Sequence, residues 1–273
     1  MRYDFGARTH IGGGLVQEDG VLNVEFDSGN SIEMFAVLDG SGSVENLPHA
    51  ESLIMQYLRD TMRYQYKAFG HDEFVKHIPS CMEIAVNVCN VSIGAFKIKN
   101  ENEFANFGAS MTAVTLYGST MYLVHGGNTR LYRLRNGKIQ QMTLDHTKAY
   151  DAVMQGLLDM DKYYASTDRG ILTGGIYGGL ALFGTDIFRL NKAKMTMKKD
   201  DIYCLTTDGV HYVINEDAIR TIILQSQTCG NAAENLIEAS RELGTQDNAS
   251  AIVFRPIFFN SEEEIPSFET DVV

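Results

Sequence analysis

Residues 34 to 43, Met-Phe-Ala-Val-Leu-Asp-Gly-Ser-Gly-Ser, constrain the fold more than any other stretch. The unbroken apolar run reads as a strand buried on both faces, and it stops at Asp39, on a backbone that Gly40 frees to turn. The pattern returns in Ile202 to Thr207, which ends in Asp208-Gly209. It appears in reverse where Asp247-Asn248 precedes the strand Ala251 to Phe254. In an antiparallel sheet the end of one strand lies beside the start of its neighbour, so Asp39, Asp208 and Asp247 are expected to converge on one rim. Glu18-Asp19, close after the first strand, is placed to join them. Clustered carboxylates repel one another unless a cation lies between them, and hard oxygen ligands select Mg2+ or Mn2+. Taken singly, each Asp-Gly or Asp-Asn pair reads equally well as a turn cap.

A net charge of -12 argues against a nucleic-acid partner, because phosphate backbones reward a Lys/Arg surplus. Cys81, Cys89, Cys204 and Cys229 form no C-x-x-C pair and no zinc spacing, so they are expected to be reduced core residues of a cytoplasmic protein. The N-terminal Met1 to Phe5 lacks a signal-peptide apolar region. No stretch approaches the roughly 20 apolar residues of a membrane span, so no membrane association is expected.

Residues 3 to 38 predict two or three strands, with the Gly12-Gly13-Gly14 loop leading to Glu18-Asp19. Helical spacing follows Pro48 through Ile54, Leu58 and Met62, and a second helix is expected from Pro79, burying Ile84, Ala85 and Val88. Met111 to Tyr117, Gly118-Ser119 and Met121 to Val124 predict a hairpin, and Asn136-Gly137 predicts a type I′ turn. Residues 145 to 185 read as a helix near Tyr150 to Leu158 followed by a Gly-rich loop. That loop, Gly174 to Gly179, reads as a mobile flap or a plain turn rather than a phosphate cradle. Asn215 is expected to cap one late helix. Asn231 to Glu234 reads as a capping box for another, buried through Leu236, Ile237 and Leu243. Strand runs interleaved with helix pairs predict a layered α+β domain with the sheets inside. It should span residues 1–257, with 258–273 a flexible acidic tail.

The order of these pieces resembles the metal-dependent protein phosphatase 2C (PPM) family. The matching landmarks are Glu18-Asp19, Phe35-Ala36-Val37-Leu38-Asp39-Gly40 with Gly42, and Gly108 to Ala113. Gly127-Asn128-Thr129-Arg130, Leu144-Asp145-His146-Thr147, Thr207-Asp208-Gly209 and Asp247-Asn248-Ala249-Ser250 follow in the same order. The resemblance implies a four-layer α-β-β-α sandwich with two mostly antiparallel sheets inside and helix pairs outside, and two Mn2+ or Mg2+ ions bridged by Asp39, with the Gly40 carbonyl as a ligand. Asp208 and Asp247 would hold one of the ions, and Glu18 and Asp19 would bind directly or through water. Asp39, Asp208 and Asp247 are thus the candidate catalytic residues. The implied reaction is hydrolysis of phosphoserine or phosphothreonine in a protein partner by metal-activated water. No oligomeric state is implied, and a monomer is assumed.

Departures from the family pattern bear on substrate binding. Most members carry an Arg five residues before the Asp that matches Asp19, where it grips phosphate; Gly14 stands there. Arg8 or Arg2, or the N–H groups of Gly12 to Gly14, would have to serve instead. Ser41 stands where animal members have a His proposed to protonate the leaving group, although many bacterial members also lack it. Asn128 and Tyr212 replace acids that often hold a third metal. These changes motivate an alternative, a phosphatase-like binding or regulatory domain that retains metals without turnover. A carboxylate-metal nuclease is disfavoured by the charge.

Overall fold

Alternation along the central strands sorts their side chains into three apolar layers, and these layers set the architecture. The computed structural model describes residues 2–27, 32–100, 106–179 and 190–258. The expected acidic tail beyond 258 and the end of the Gly-rich loop after 179 lie outside the described residues. One five-stranded antiparallel sheet contains β2 (Asp19–Asp27), β3 (Ile32–Ser41), β4 (Gly108–Tyr117), β5 (Thr120–Gly126) and β8 (Asn191–Thr196), in that spatial order. The other contains β1 (Arg2–His10), β10 (Ala249–Ile257), β9 (Ile202–Thr206), β6 (Arg130–Arg135) and β7 (Lys138–Gln141).

On β3, Met34, Ala36 and Leu38 face α1 (Ala50–Lys99), where Ile54, Leu58 and Met62 pack against the sheet. Phe35 and Val37 point the other way, into the layer between the sheets, with Tyr203, Leu205, Ile252 and Phe254. Phe35 stacks on Phe254 with ring centroids 5.0 Å apart, and Phe254 on Tyr203 at 5.2 Å. Alternate residues Cys204, Ala251 and Val253 form the third layer with α5 (Glu216–Gln225) and α6 (Cys229–Glu242). Period-two burial on both faces is what a strand covered on each side requires. The four-layer α-β-β-α sandwich expected from the sequence is therefore the observed fold.

The helices differ from expectation in detail. The expected second helix from Pro79 begins earlier, because the break in α1 falls at Gly70, whose φ of 73° no helix contains, and Pro79 sits inside the following segment. Its buried face is Cys81, Met82, Ala85, Val86, Cys89 and Ile93, while Ile84 and Val91 are exposed. This helix also passes the length and composition of a membrane span, against the sequence reading. Part of its apolar surface, including Ile54, Leu58, Met82 and Ala85, packs on the sheet. Asn215 caps α5 as expected, its side chain accepting the Ala218 N–H at 2.9 Å. The cap of α6 is Thr228, which accepts the Asn231 N–H at 3.0 Å, so Asn231 is already inside the first turn and Leu243 lies exposed beyond the end.

Residues 145–179 hold α2 (Lys148–Met154), α3 (Met160–Tyr163) and a 3-10 turn at Thr167–Gly170. The turn expectations hold: Asn136 and Gly137 have φ of 52° and 71°, as a type I′ pair needs, and Gly118-Ser119 joins β4 to β5. All four cysteines are free and buried.

The stack joining the sheets generates a stability prediction. Phe35→Ala is expected to cost about 3–5 kcal/mol, read as a lower denaturant midpoint with an unchanged slope; a loss below about 1 kcal/mol would mean the inter-sheet layer closes over the cavity.

Candidate functional site

Strand register pairs the acids within each sheet. Asp19 opens β2 and stands opposite Asp39 near the end of β3. In the other sheet β9 runs antiparallel to β10, pairing Thr206 with Ala251, so the chain leaves β9 at Thr207-Asp208 beside Asp247-Asn248 entering β10. Asp208 is the first residue of the short α4 (Asp208–His211).

Neutral side chains tie the two sheets together there. The Thr207 hydroxyl donates to Asp19 Oδ2 at 2.7 Å, across the gap between sheets. Asn248 Oδ1 accepts the Glu18 N–H at 2.6 Å, and its Nδ2 donates to the carbonyls of Ile11 at 2.8 Å and Val16 at 3.0 Å. Asn128 Nδ2 donates to Asp208 Oδ2 at 2.9 Å and to the Tyr212 hydroxyl at 3.3 Å. Asn128 in turn accepts from Ser110 Oγ at 2.7 Å.

The electrostatics report the crowding. Burial pushes the Asp19 carboxyl up to about 8, against hydrogen bonds from Thr207 and Ser250 and with added repulsion from Asp208 and Asp247. Asp208 is pushed up to about 7, first by burial and then by Asp247. Asp39 is raised well above the carboxylate range by burial and by the charges of Asp208, Asp19, Asp247 and Glu18. Asp39, Asp208, Asp247, Asp19 and Glu18 thus lie within electrostatic reach of one another.

Individual placements differ. Glu18 turns one carboxylate oxygen to the Ser43 N–H at 2.9 Å, and its backbone carbonyl accepts the Gly40 N–H at 2.9 Å. Asp247 lies exposed at the rim. Gly40 serves close approach rather than the turn: a Cβ there would meet the Glu18 carbonyl at 2.6 Å and Glu51 Oε2 at 2.9 Å. The turn falls at Gly42, with a φ of 80°.

Glu51 was not singled out in the sequence. It sits in the first turn of α1, where an acid reads as a helix-dipole partner. It is 4% exposed, and its Oε2 has no hydrogen-bond partner. Burial raises its carboxyl, with a small contribution from Glu18.

Two observations test whether these residues suit a hard divalent cation. Asp208 Oδ1 is buried without a partner, and the surrounding acids repel each other more than the Arg130 charge relieves, since Asp208 is still pushed up. Both fit an oxygen site for such an ion. Among the described residues, no three acidic, histidine or cysteine side chains close tightly enough to form a finished cage.

The substrate-binding expectations fare differently. Arg8 points to the α6 side, with NH2 4.0 Å from Glu234 and the side chain 56% exposed, so it does not reach the acids. Arg2 lies at the far end of β1, paired in register with Ile257. Gly14 has no room for a side chain, because a Cβ would lie 2.6 Å from Asn248 Nδ2. Two of the loop N–H groups are already used: Gly12 donates to His10 Nδ1 at 2.8 Å and Gly14 to the Ile11 carbonyl at 3.0 Å. Ser41 stays at the site, its hydroxyl donating to the Asn106 carbonyl at 2.7 Å. Arg130 is buried and bound by Asp145 through two bonds of 2.9 and 2.6 Å.

No family model matches the chain. The serine/threonine protein phosphatase PstP of Mycobacterium tuberculosis is 27% identical over 175 residues, covering 63% of this chain and 32% of that protein. The mitochondrial protein phosphatase 1K of Xenopus laevis is 23% identical over 239 residues, covering 80% of this chain and 59% of that one. This chain therefore matches less than two thirds of the length of either relative. Among solved structures, the catalytic domain of PstP in complex with two manganese ions superposes with a TM-score of 0.73 at 21% identity, over 94% of this chain and 99% of that one. The resemblance to PPM phosphatases seen in the motifs is thus shared by sequence relatives and by the fold.

Raised carboxyl pKa values have a definite sign. Asp19 and Asp208 bind protons more tightly folded than unfolded, so their stabilising contribution is full below about pH 4 and is lost as pH rises through about 7 to 8. Metal-free protein is expected to lose stability between pH 5 and 8 on this account, and Asp208→Asn to flatten the loss by about 1 kcal/mol or more. Denaturant titrations in chelator at several pH values check it; parallel curves for the two proteins would remove the repulsion argument.

Proposed function

We propose that this chain is a metal-dependent serine/threonine phosphoprotein phosphatase, with Asp39, Asp208 and Asp247 as its principal acids. One observation carries the reading: acids from both sheets meet at one rim with a buried carboxylate oxygen unpaired. The resemblance to PPM phosphatases supports it, and so does the likeness to a fold whose PstP example is described with two manganese ions. Two Mn2+ or Mg2+ ions are the proposed cofactors, held by Asp39 with the Gly40 carbonyl, by Asp208 and Asp247, and by Glu18 and Asp19 directly or through water. Bound there, such ions would acidify a shared water and offset charge on a phosphoryl group undergoing in-line displacement.

The chain's own residues set the limits of that chemistry. Thr207 and Asn128 each occupy one carboxylate oxygen, of Asp19 and Asp208 respectively, and Asp208 Oδ1 is left without a partner. Asn128 bonds to both Asp208 and Tyr212 where further acids would be needed, which supports two ions rather than three. Ser41 commits its proton to the Asn106 carbonyl, so it is a poor acid for the leaving oxygen.

A second reading, a metal-retaining binding or regulatory domain without turnover, is favoured by the same substrate side. Arg8 turns away and the Gly14 position is closed, so the guanidinium grip of the family has no counterpart at those two positions.

Hydrolysis of a phosphoserine peptide with Mn2+ decides between them. The expected result is metal-dependent turnover that falls roughly 100-fold or more in Asp39→Asn. Equal turnover by both proteins would refute the role of Asp39. A Mn2+-induced rise in melting temperature with no hydrolysis of any phosphopeptide would favour the binding domain.

A further inference from the structure

The Gly-rich run at 174–179 is neither a free flap nor a plain turn. Ile176 forms an antiparallel bridge with Ala109, the Ala109 N–H donating to the Ile176 carbonyl at 3.0 Å and the Ile176 N–H returning to Ala109 at 2.8 Å. From α1, Asn90 donates to the Gly179 carbonyl and accepts the Gly178 N–H, both at 2.8 Å. Lys97 Nζ donates to the Tyr177 carbonyl at 3.1 Å. The segment is therefore fastened to a strand on one side and to a helix on the other.

Tyr177 stands between these anchors. Its ring takes the space that side chains at two glycines would fill. A Cβ on Gly108 would lie 2.2 Å from the ring, and one on Gly175 2.6 Å. Gly108 is paired with Ser41 across β4 and β3, so the ring lies beside the residue that follows Asp39-Gly40, and the phenol feels the charges of Asp39 and Asp208. The Ser41 side chain acts to lower the phenol's pKa against the larger push of burial, so the phenolic proton is not given to Ser41. A rigid ring thus carries a hydroxyl proton to the residue that follows Asp39-Gly40, where no arginine arrives.

We propose that Tyr177 contacts the substrate, its hydroxyl, oriented by Ser41, donating a hydrogen bond to the phosphoryl group of a phosphoserine or phosphothreonine monoester. The role rests on the phosphatase reading above. A phosphoryl oxygen is a charged acceptor for the phenolic proton, and charge-assisted O–H···O bonds are the stronger kind. Holding the donor in place before substrate arrives avoids reorganising it during the reaction. The ring's packing explains why the hydroxyl alone can be removed without emptying the space around Gly108 and Gly175.

Tyr177→Phe deletes the hydroxyl and keeps the ring. With Mn2+ present, kcat/KM for a phosphoserine peptide is expected to fall roughly tenfold, and affinity for inorganic phosphate, measured by calorimetry, by a similar factor. The melting temperature should stay near that of the wild type, which a purely structural hydroxyl would not allow. Ser41→Ala, which leaves the phenol but not its orienting partner, should lose less on both measures. If Tyr177→Phe hydrolyses peptide and binds phosphate as the wild type does, the contact does not exist. If the wild type binds phosphate yet hydrolyses nothing, the phosphatase reading fails while the two phosphate affinities still decide Tyr177. A wild type that does neither overturns both.

Discussion

Like charges forced together at the mouth of two packed sheets are the constraint on which the rest of the molecule depends. Asp19 faces Asp39 because β2 and β3 are in register, and Asp208 meets Asp247 because β9 and β10 are. Bringing the two pairs into one field then depends on how the sheets are stacked. The Phe35, Phe254 and Tyr203 rings set that stacking in the middle, and Thr207 and Asn248 set it at the rim. Desolvating several carboxylates is costly unless protons or cations compensate. The apolar layers on both sides of each sheet supply the stability against which that strain is held.

Much of this architecture was legible in the chain. Unbroken apolar runs ending in Asp-Gly read as strands buried on both faces, and β3 and β9 are such strands. The turn chemistry of Asn136-Gly137 and the cap at Asn215 were equally local. What could not be read was how side chains meet across sequence. Glu51 looks like an ordinary first-turn acid until the β3 end is laid against it, and Asn248 looks like a turn residue until its bonds to the 11–18 loop are seen. Arg8 is one position on an alternating strand, and only the docking of α6 shows which side of the sheet it serves. The α1 break was misjudged for a different reason: Pro79 is a stronger local signal than Gly70, yet the positive φ of Gly70 is what ends the helical run.

Around the acids, neutral groups stand where charge was expected. Asn128 and Tyr212 form a hydrogen-bonded unit against Asp208, and Tyr212 also donates to the Arg169 carbonyl at 2.9 Å while the Arg169 guanidinium lies 3.7 Å from its ring centre. This unit links the segment before the Gly-rich run to the rim without adding a carboxylate. Its effect on Asp208 is to lower the carboxyl against the larger push of burial, holding the charge without neutralising it.

The same substitution of neutral for charged groups determines how a phosphate can be attracted at all. Arg130 is the cation whose field Asp208 feels, yet its guanidinium is held by Asp145 and donates to the Tyr132 hydroxyl at 3.0 Å, so its donors are already engaged. Arg8 is committed to the α6 side. A dianionic phosphoryl group approaching this rim therefore meets net negative charge, and close approach requires that charge to be offset by cations bound among the acids. In a site of the proposed kind, substrate affinity and metal occupancy would be linked, because the ions that would serve the chemistry would also be the main source of attraction. A neutral donor such as Tyr177 can then orient the phosphoryl group without competing with the acids for the positive charge they need.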